Sequence, residues 1–343
     1  MNLIVGYQLQ GEGRLVRTIL DHRDVVGEVY FAWPGIANGR NTAPLRRGLT
    51  EWEAVERQID DLSTLSKAGL GLNLLLNGNC YGSQSLSRAL YTKIGDLVDW
   101  LGARFALSSV TTASPVIARF LKTNFPALEI RASVNMEIGT REGVEYLADV
   151  MDGYYVKREL NRHIEDVRAF AQMCRSFGKK VYLLANSGCL NHCSARTFHD
   201  NLVSHEAELM QMDNAFEFDG QCRRFLSDRD ARRRIISLSN WIMPRDLYRY
   251  EDLVDGVKLA TRVSDHPEMI VEAYASGRFS GNMLELTEPN FAGLYYPAVL
   301  DASCIPDDFF DITSTCGREC QRCGYCVRVF DAACETLRND VLL

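Results

Sequence analysis

The amino-acid sequence predicts an α/β fold, a TIM-like (β/α)8 barrel with a cysteine-rich C-terminal extension. Short apolar segments rich in β-branched and aromatic residues recur along the chain, and amphipathic stretches separate them, as is typical of parallel βα units. The 343 residues, 46% of them hydrophobic, can bury one large core. Beyond about Glu285 the alternation stops. We therefore expect a barrel domain over residues 1–290 and a metal-binding extension over residues 291–343.

Nine segments have the composition of buried strands, whereas a closed barrel needs eight. We expect either the first segment or the one near Ile235 to be extra or irregular. The candidate strands cover residues 3–9, 28–33, 72–77, 105–109, 129–135, 154–157, 181–185, 235–239 and 257–261. Helical stretches with an apolar face lie between them, at the spacing of crossover helices. They cover residues 51–67, 85–101, 114–123, 140–151, 161–177 and 193–212.

Composition narrows the possible compartments and partners. The formal net charge of -7 argues against a nucleic-acid-binding surface, which would need clustered lysine and arginine. The sequence has no run of about 18 uncharged apolar residues for a membrane span, and residues 1–12 are too short and too polar for a signal peptide. We expect a cytoplasmic protein that binds no membrane. The eleven cysteines cannot all be paired in disulfides, because their number is odd. In a reducing compartment metal ligation accounts for them better than disulfides.

The first group of cysteines is expected at the carboxyl-terminal mouth of the barrel, where active sites of this fold lie. Cys189 and Cys193 directly follow the strand at 181–185 and can offer two thiolates to one metal centre. A 4Fe-4S cluster normally takes four. The best further donors are Cys222 and Cys80, which also follows a candidate strand, although free cysteines are often simply buried.

Zinc is the competing metal at this site. His192 and His199 lie close to the cysteine pair, and zinc accepts mixed cysteine and histidine ligands. A histidine beside a cysteine is more often a cap or a hydrogen-bonding neighbour, so we rank zinc second. Arg196 and His199 could donate hydrogen bonds to cluster sulfurs. Cys174, on the apolar face of a helix, is expected in the core.

A second group of cysteines lies near the end of the chain. The spacing C-x3-C-x2-C-x2-C resembles ferredoxin loops that wrap a 4Fe-4S cluster, whereas structural zinc usually takes two separated C-x2-C pairs. Zinc remains the alternative here, and Cys304 or Cys334 could replace one ligand. The C-x3-C-x2-C part also resembles the radical S-adenosylmethionine motif, but that motif belongs just after the first strand. The candidate ligands are Cys316, Cys320, Cys323 and Cys326.

Polar side chains that follow strands point into a barrel mouth. Glu137, Arg158 and Glu159 are our candidates for holding a polar substrate or moving a proton. Strand-end carboxylates also pair with neighbouring arginines for structural reasons alone, and this alternative stays open for each of the three. His205, in the helix that begins near Ser194, is expected to pack against other helices.

Several short motifs stand out when they are taken together. They are Val134-Asn135, Lys157-Arg-Glu-Leu-Asn-Arg162, Gly188-Cys-Leu-Asn-His-Cys-Ser-Ala-Arg-Thr-Phe-His199, Leu202-Val-Ser-His205, Trp241-Ile-Met-Pro-Arg-Asp-Leu247 and Gly256-Val-Lys-Leu-Ala-Thr-Arg262. In their order and spacing they resemble the collagenase-like peptidase family, peptidase family U32, over roughly residues 1–290. Members of that family are similar in having a barrel fold and a four-cysteine 4Fe-4S cluster, and several carry out oxygen-independent hydroxylation of quinone precursors or RNA bases. The resemblance implies cluster ligation by Cys189, Cys193 and Cys222, with Cys80 as fourth ligand.

Our first hypothesis is an iron-sulfur enzyme that oxidises or hydroxylates a small-molecule, peptide or carrier-bound substrate. The second is a peptidase, against which the sequence offers no cysteine-histidine or serine-histidine pair with a third orienting group. The third is a non-catalytic partner that carries electrons for another enzyme. One 4Fe-4S cluster is expected and two are possible, and a partner protein or electron donor is a further possibility.

Overall fold

In a computed structural model, described for residues 2–10, 12–40 and 49–336, eight parallel strands close into a barrel. The last strand pairs with the first, because Leu3 lies opposite Val257 and Val5 opposite Leu259. This confirms the predicted TIM-like fold. The strands are β1 (Leu3–Gly6), β2 (Val26–Phe31), β3 (Gly71–Leu76), β4 (Leu107–Thr112), β5 (Glu129–Ala132), β6 (Gly153–Tyr155), β7 (Lys180–Leu184) and β8 (Gly256–Leu259).

Helices surround the barrel and continue into the C-terminal extension. The capping box of Thr50 and Glu53 begins the longest of them, and serines at positions 87 and 114 cap the next two along the chain. The described α-helices are α1 (Arg14–Asp21), α2 (Glu51–Lys67), α3 (Arg88–Gly102), α4 (Pro115–Asn124), α5 (Arg141–Glu145), α6 (Ile164–Ser176), α7 (Arg196–Ser204), α8 (Glu206–Leu209), α9 (Gln221–Phe225), α10 (Arg229–Arg232), α11 (Ile235–Leu238), α12 (Pro267–Ser276), α13 (Ala292–Tyr295), α14 (Phe309–Ser314), α15 (Cys320–Cys323) and α16 (Tyr325–Ala333).

Three sequence predictions differ from the structure. The ninth candidate strand, at 235–239, is helix α11, because a short buried apolar run has no periodicity that separates strand from helix. The helix expected at 140–151 ends at Glu145. The helix expected at 193–212 begins only at Arg196 and breaks at His205, so that α7 and α8 follow each other.

The barrel interior combines a small apolar cluster with a buried ion pair. Arg131 of β5 donates to both carboxylate oxygens of Glu28 in β2, at 2.6 and 2.8 Å, and stacks 4.0 Å from the ring centre of Tyr182. The two charges are therefore compensated within the barrel. The apolar cluster comprises Ile4, Tyr30, Leu75, Val134, Tyr155, Tyr182, Leu184 and Ala260.

The C-terminal extension packs on the side of the barrel. Strands β9 (Ala298–Leu300) and β10 (Cys334–Thr336) pair antiparallel. Phe309, Phe310 and Phe330 are buried in the same apolar core as the barrel helices. The segment thus has buried apolar packing of its own, and its binding of a metal stays a prediction. The boundary at residue 290 stays a prediction. None of the described helices is both long and apolar enough to cross a bilayer.

Candidate metal centre and active site at the barrel mouth

The loop after β7 carries two of the predicted ligands and is held in place by side-chain and backbone hydrogen bonds. The Asn186 amide donates to the carbonyl oxygens of Ala260 (2.9 Å) and Leu286 (2.8 Å) and accepts from the Ala260 N–H. The Gly188 N–H donates to the Glu288 carbonyl oxygen at 2.7 Å. These bonds position Cys189 at the end of the barrel strands.

The structure brings Cys222 to Cys189 and Cys193. Burial raises the pKa of the Cys222 thiol, and negative charge on Cys189 raises it further, as charge on Cys193 does to a smaller extent. All three side chains are partly buried. The Arg40 guanidinium interacts electrostatically with Cys189. The site thus combines three thiols with a nearby cation.

The spacing of these thiols bears on which metal fits. A tetrahedral zinc ion with Zn–S bonds of about 2.3 Å holds its sulfurs ~3.8 Å apart. Across residues 2–10, 12–40 and 49–336, Asp301, Cys304 and Glu335 form the one group of at least three such donors that all lie within 4.8 Å of one another. The three mouth thiols therefore do not all lie within that distance of one another, and the identity of the metal stays a prediction.

Cys80 has partners of its own. Its thiol is hydrogen-bonded to the His205 imidazole, and this bond lowers the pKa of Cys80. The Gly82 N–H donates to the Cys80 Sγ at 3.4 Å. His205 Nδ1 lies 3.0 Å from the Glu208 Oε2. The structure therefore pairs the predicted fourth ligand with an imidazole that itself contacts a carboxylate. Its role as a ligand stays a prediction.

The predicted polar residues meet at Arg196, the first residue of α7. Its Nη1 donates to Glu137 and, at 2.8 Å, to Glu159, and its Nη2 donates to the Leu190 carbonyl oxygen. The Glu137 side chain is 37% exposed and that of Glu159 only 6%. Arg158 lies apart from this group, and its Nη2 donates to the Asn135 Oδ1 at 2.6 Å.

Sequence reasoning missed four charged residues of the mouth. Arg40 Nε donates to the Glu288 Oε1 at 2.8 Å. Arg262 Nη1 donates to the Asn38 Oδ1 at 3.0 Å. Lys258 is buried with its Nζ 3.9 Å from the Tyr30 ring centre, and burial lowers its pKa to about 7. The position of Lys258 within an apolar strand could have indicated a buried charged residue, whereas no feature of the sequence indicated that Glu288 lies at the mouth.

The second cysteine group converges as well. Cys316, Cys320, Cys323 and Cys326 line one cavity of about 270 Å³ against α14 and α16. Cys304 lies elsewhere, with its Sγ 3.7 Å from the Asp301 Oδ2, and Cys334 lies in β10. The predicted four-cysteine set therefore shares one cavity in the C-terminal extension.

Comparison with known proteins relates the chain to one group. No family model matches it. An uncharacterized protease of Methanocaldococcus jannaschii is 23% identical over 319 residues, which cover 89% of this chain and 88% of that protein. The structure of a U32 peptidase superposes with a TM-score of 0.55 at 18% identity, covering 75% of this chain and 91% of the other. The chain is therefore similar to this archaeal protease in sequence and shares the fold of this U32 peptidase.

The barrel carries its polar side chains on loops that follow different strands. Asn79, after β3, accepts from the Asn135 amide at 3.3 Å, and its N–H donates to the Ser204 Oγ at 2.9 Å. The loops that carry Cys80, Asn135 and His205 are thereby tied together. This arrangement can bind a polar substrate beside the three mouth cysteines.

Proposed function

We propose that this chain is an iron-sulfur enzyme of the redox type, with a 4Fe-4S cluster held by Cys189, Cys193 and Cys222. The observation that carries the proposal is the meeting of three thiols from two separate loops beside the Arg40 cation. Such a cluster supplies one-electron chemistry at a potential set by its surroundings. The reaction class we assign is oxygen-independent oxidation or hydroxylation of a small-molecule, peptide or carrier-bound substrate.

Glu137 and Glu159 have different roles in this proposal. Both accept hydrogen bonds from Arg196, but Glu137 is open to solvent. A carboxylate held by an arginine and accessible from outside can accept a hydrogen bond or a proton from a substrate hydroxyl or amide. Glu159 is buried and also accepts from the His192 N–H at 3.2 Å. We assign Glu159 a positioning role, since it joins Arg196 to the cysteine loop.

Metal analysis of anaerobically purified protein tests the ligand assignment. Cys189→Ser, Cys193→Ser and Cys222→Ser should each lower the iron content by about four atoms per chain, with a matching loss of acid-labile sulfide and of dithionite-sensitive visible absorbance. Cys174→Ala is the matched control, because Cys174 is buried in α6 away from the mouth group. Unchanged iron in all three serine variants, or zinc in place of iron, would contradict the proposal.

A thiol-dependent peptidase is the second candidate, favoured by the name of the archaeal relative and by one arrangement in the mouth. Cys80, His205 and Glu208 follow the order nucleophile, base and orienting carboxylate. In this candidate His205 takes the thiol proton and the thiolate attacks a peptide carbonyl carbon. The C–N bond then breaks, His205 returns the proton to the amine, and water hydrolyses the thioester to a carboxylate and the free thiol.

Peptide hydrolysis before and after chelation of the metal separates the two candidates. A peptidase should keep its activity without iron, lose it in Cys80→Ser and in His205→Ala, and retain it in Cys189→Ser. The redox proposal predicts no hydrolysis in any of these samples. Loss of iron in Cys80→Ser would assign Cys80 to the cluster and exclude the peptidase candidate.

A further inference from the structure

The C-terminal extension has a cavity that the mouth chemistry does not use. Arg318 and Gly324 both have left-handed backbone conformations, with φ of 60° and 64°. They reverse the chain on either side of α15, so that four thiols from three short segments face the same space. The cavity measures about 270 Å³, and its cysteines are Cys316, Cys320, Cys323 and Cys326.

Arg162 brings a positive charge to this cavity from the barrel side. The side chain is buried, and its largest electrostatic partners are the thiols of Cys326 and Cys316, followed by the Tyr250 hydroxyl and the Cys320 thiol. Its Nη2 donates to the Ser239 carbonyl oxygen at 2.6 Å and to the Asn240 Oδ1 at 3.1 Å. The Nε and Nη1 atoms have no hydrogen-bond partner among the residues that the structure describes.

A buried guanidinium without a carboxylate partner is costly. The rings of Trp241 and Phe309, 5.5 and 5.3 Å away, stabilise the cation only in part. A metal centre bound by four thiolates carries net negative charge, because the thiolates outweigh the charge of the metal core. Such a centre would supply the missing counter-charge.

We infer that Cys316, Cys320, Cys323 and Cys326 bind a second 4Fe-4S cluster and that Arg162 is its buried counter-cation. The spacing of the four cysteines along the chain favours a cluster over zinc, since C-x3-C-x2-C-x2-C resembles ferredoxin loops, whereas structural zinc usually takes two separated C-x2-C pairs.

The position of Arg162 also connects the two centres. The Asn240 amide that accepts from Arg162 donates to the Glu159 carbonyl oxygen, and Glu159 holds Arg196 at the mouth. Cys316, Cys320 and Cys323 are exposed to solvent. The tail thiols are thus accessible from outside, while Arg162 is hydrogen-bonded to the network that reaches the mouth.

Iron counting tests the ligand set. Wild-type protein should hold about eight irons, and the double variant Cys320→Ser/Cys323→Ser about four, while the combined mouth and tail variants should hold none. Because the mouth variants are measured separately, failure of the tail site and failure of the mouth site are distinguishable. Wild-type iron in the double variant, or loss of zinc instead of iron, would overturn the inference.

Reductive titration followed by electron paramagnetic resonance tests the role of Arg162. Arg162→Met should shift the tail cluster to a more negative reduction potential, because the reduced cluster carries more negative charge, and Arg162→Lys should restore part of the shift. Arg328→Met removes an equal charge from an exposed residue of α16 beside Cys323 and should shift the potential less. Equal shifts in Arg162→Met and Arg328→Met would overturn the counter-cation role. Should Arg162→Met fail to fold, the comparison of Arg162→Gln with Arg328→Gln, both of which remove the charge, decides the same question.

Discussion

Gly188 is the position at which one added methyl group should displace the cysteine loop. A Cβ at this residue would lie 2.5 Å from the Pro289 carbonyl oxygen and 3.0 Å from the Thr287 Oγ1. Neither atom is free to move, because the Thr287 hydroxyl donates to the Leu284 carbonyl oxygen and the Gly188 N–H holds the neighbouring Glu288. Overpacking of this kind costs about 1–3 kcal/mol. At roughly 2 °C per kcal/mol for a large domain, the Tm of Gly188→Ala should fall by about 2–6 °C.

Thermal unfolding and chelator-driven iron release measure this effect. Gly293→Ala is the matched control, because Gly293 lies in α13 and an added Cβ there meets nothing within 4 Å. Alanine favours a helix, so the control should melt at or slightly above the wild-type temperature. Gly188→Ala should also release iron from the mouth faster, since the residue precedes Cys189. Equal Tm and equal iron release in the two variants would refute the reasoning.

Three further outcomes are expected. Arg131→Met should lower the free energy of unfolding by about 3–5 kcal/mol, because it leaves the Glu28 carboxylate buried and unpaired. Urea denaturation measures this loss, and adding Glu28→Gln to the same chain should recover part of it. The Lys258 pKa of about 7 lies below its ordinary value, so folding releases a proton and the free energy of unfolding should rise from pH 7 to pH 9. Lys258→Met should flatten this dependence of stability on pH. An unchanged dependence would exclude a buried neutral lysine. The hydrogen bond to His205 lowers the pKa of Cys80, so alkylation of Cys80 by iodoacetamide, followed by mass spectrometry, should begin at lower pH than in His205→Ala.

The sequence by itself determined the barrel and the positions of most of its strands. Parallel strands buried on both faces need continuous apolar runs, and eight of the nine runs in this chain became barrel strands. The exception at 235–239 is helix α11, because a run this short satisfies either structure. The capping box at Thr50 and the period of apolar residues placed α2 at its observed bounds.

Local spacing also determined the tail cysteine group, because four thiols within eleven residues cannot lie far apart. Only the tertiary structure decided which distant residues share a site. It brought Cys222 to Cys189, paired Cys80 with His205, and buried Arg162 beside the tail thiols. These pairings depend on how loops cross the ends of the strands and pack against one another. The period of apolar residues predicts helices and strands but not such contacts, because each contact depends on which charged groups the folded chain buries next to one another.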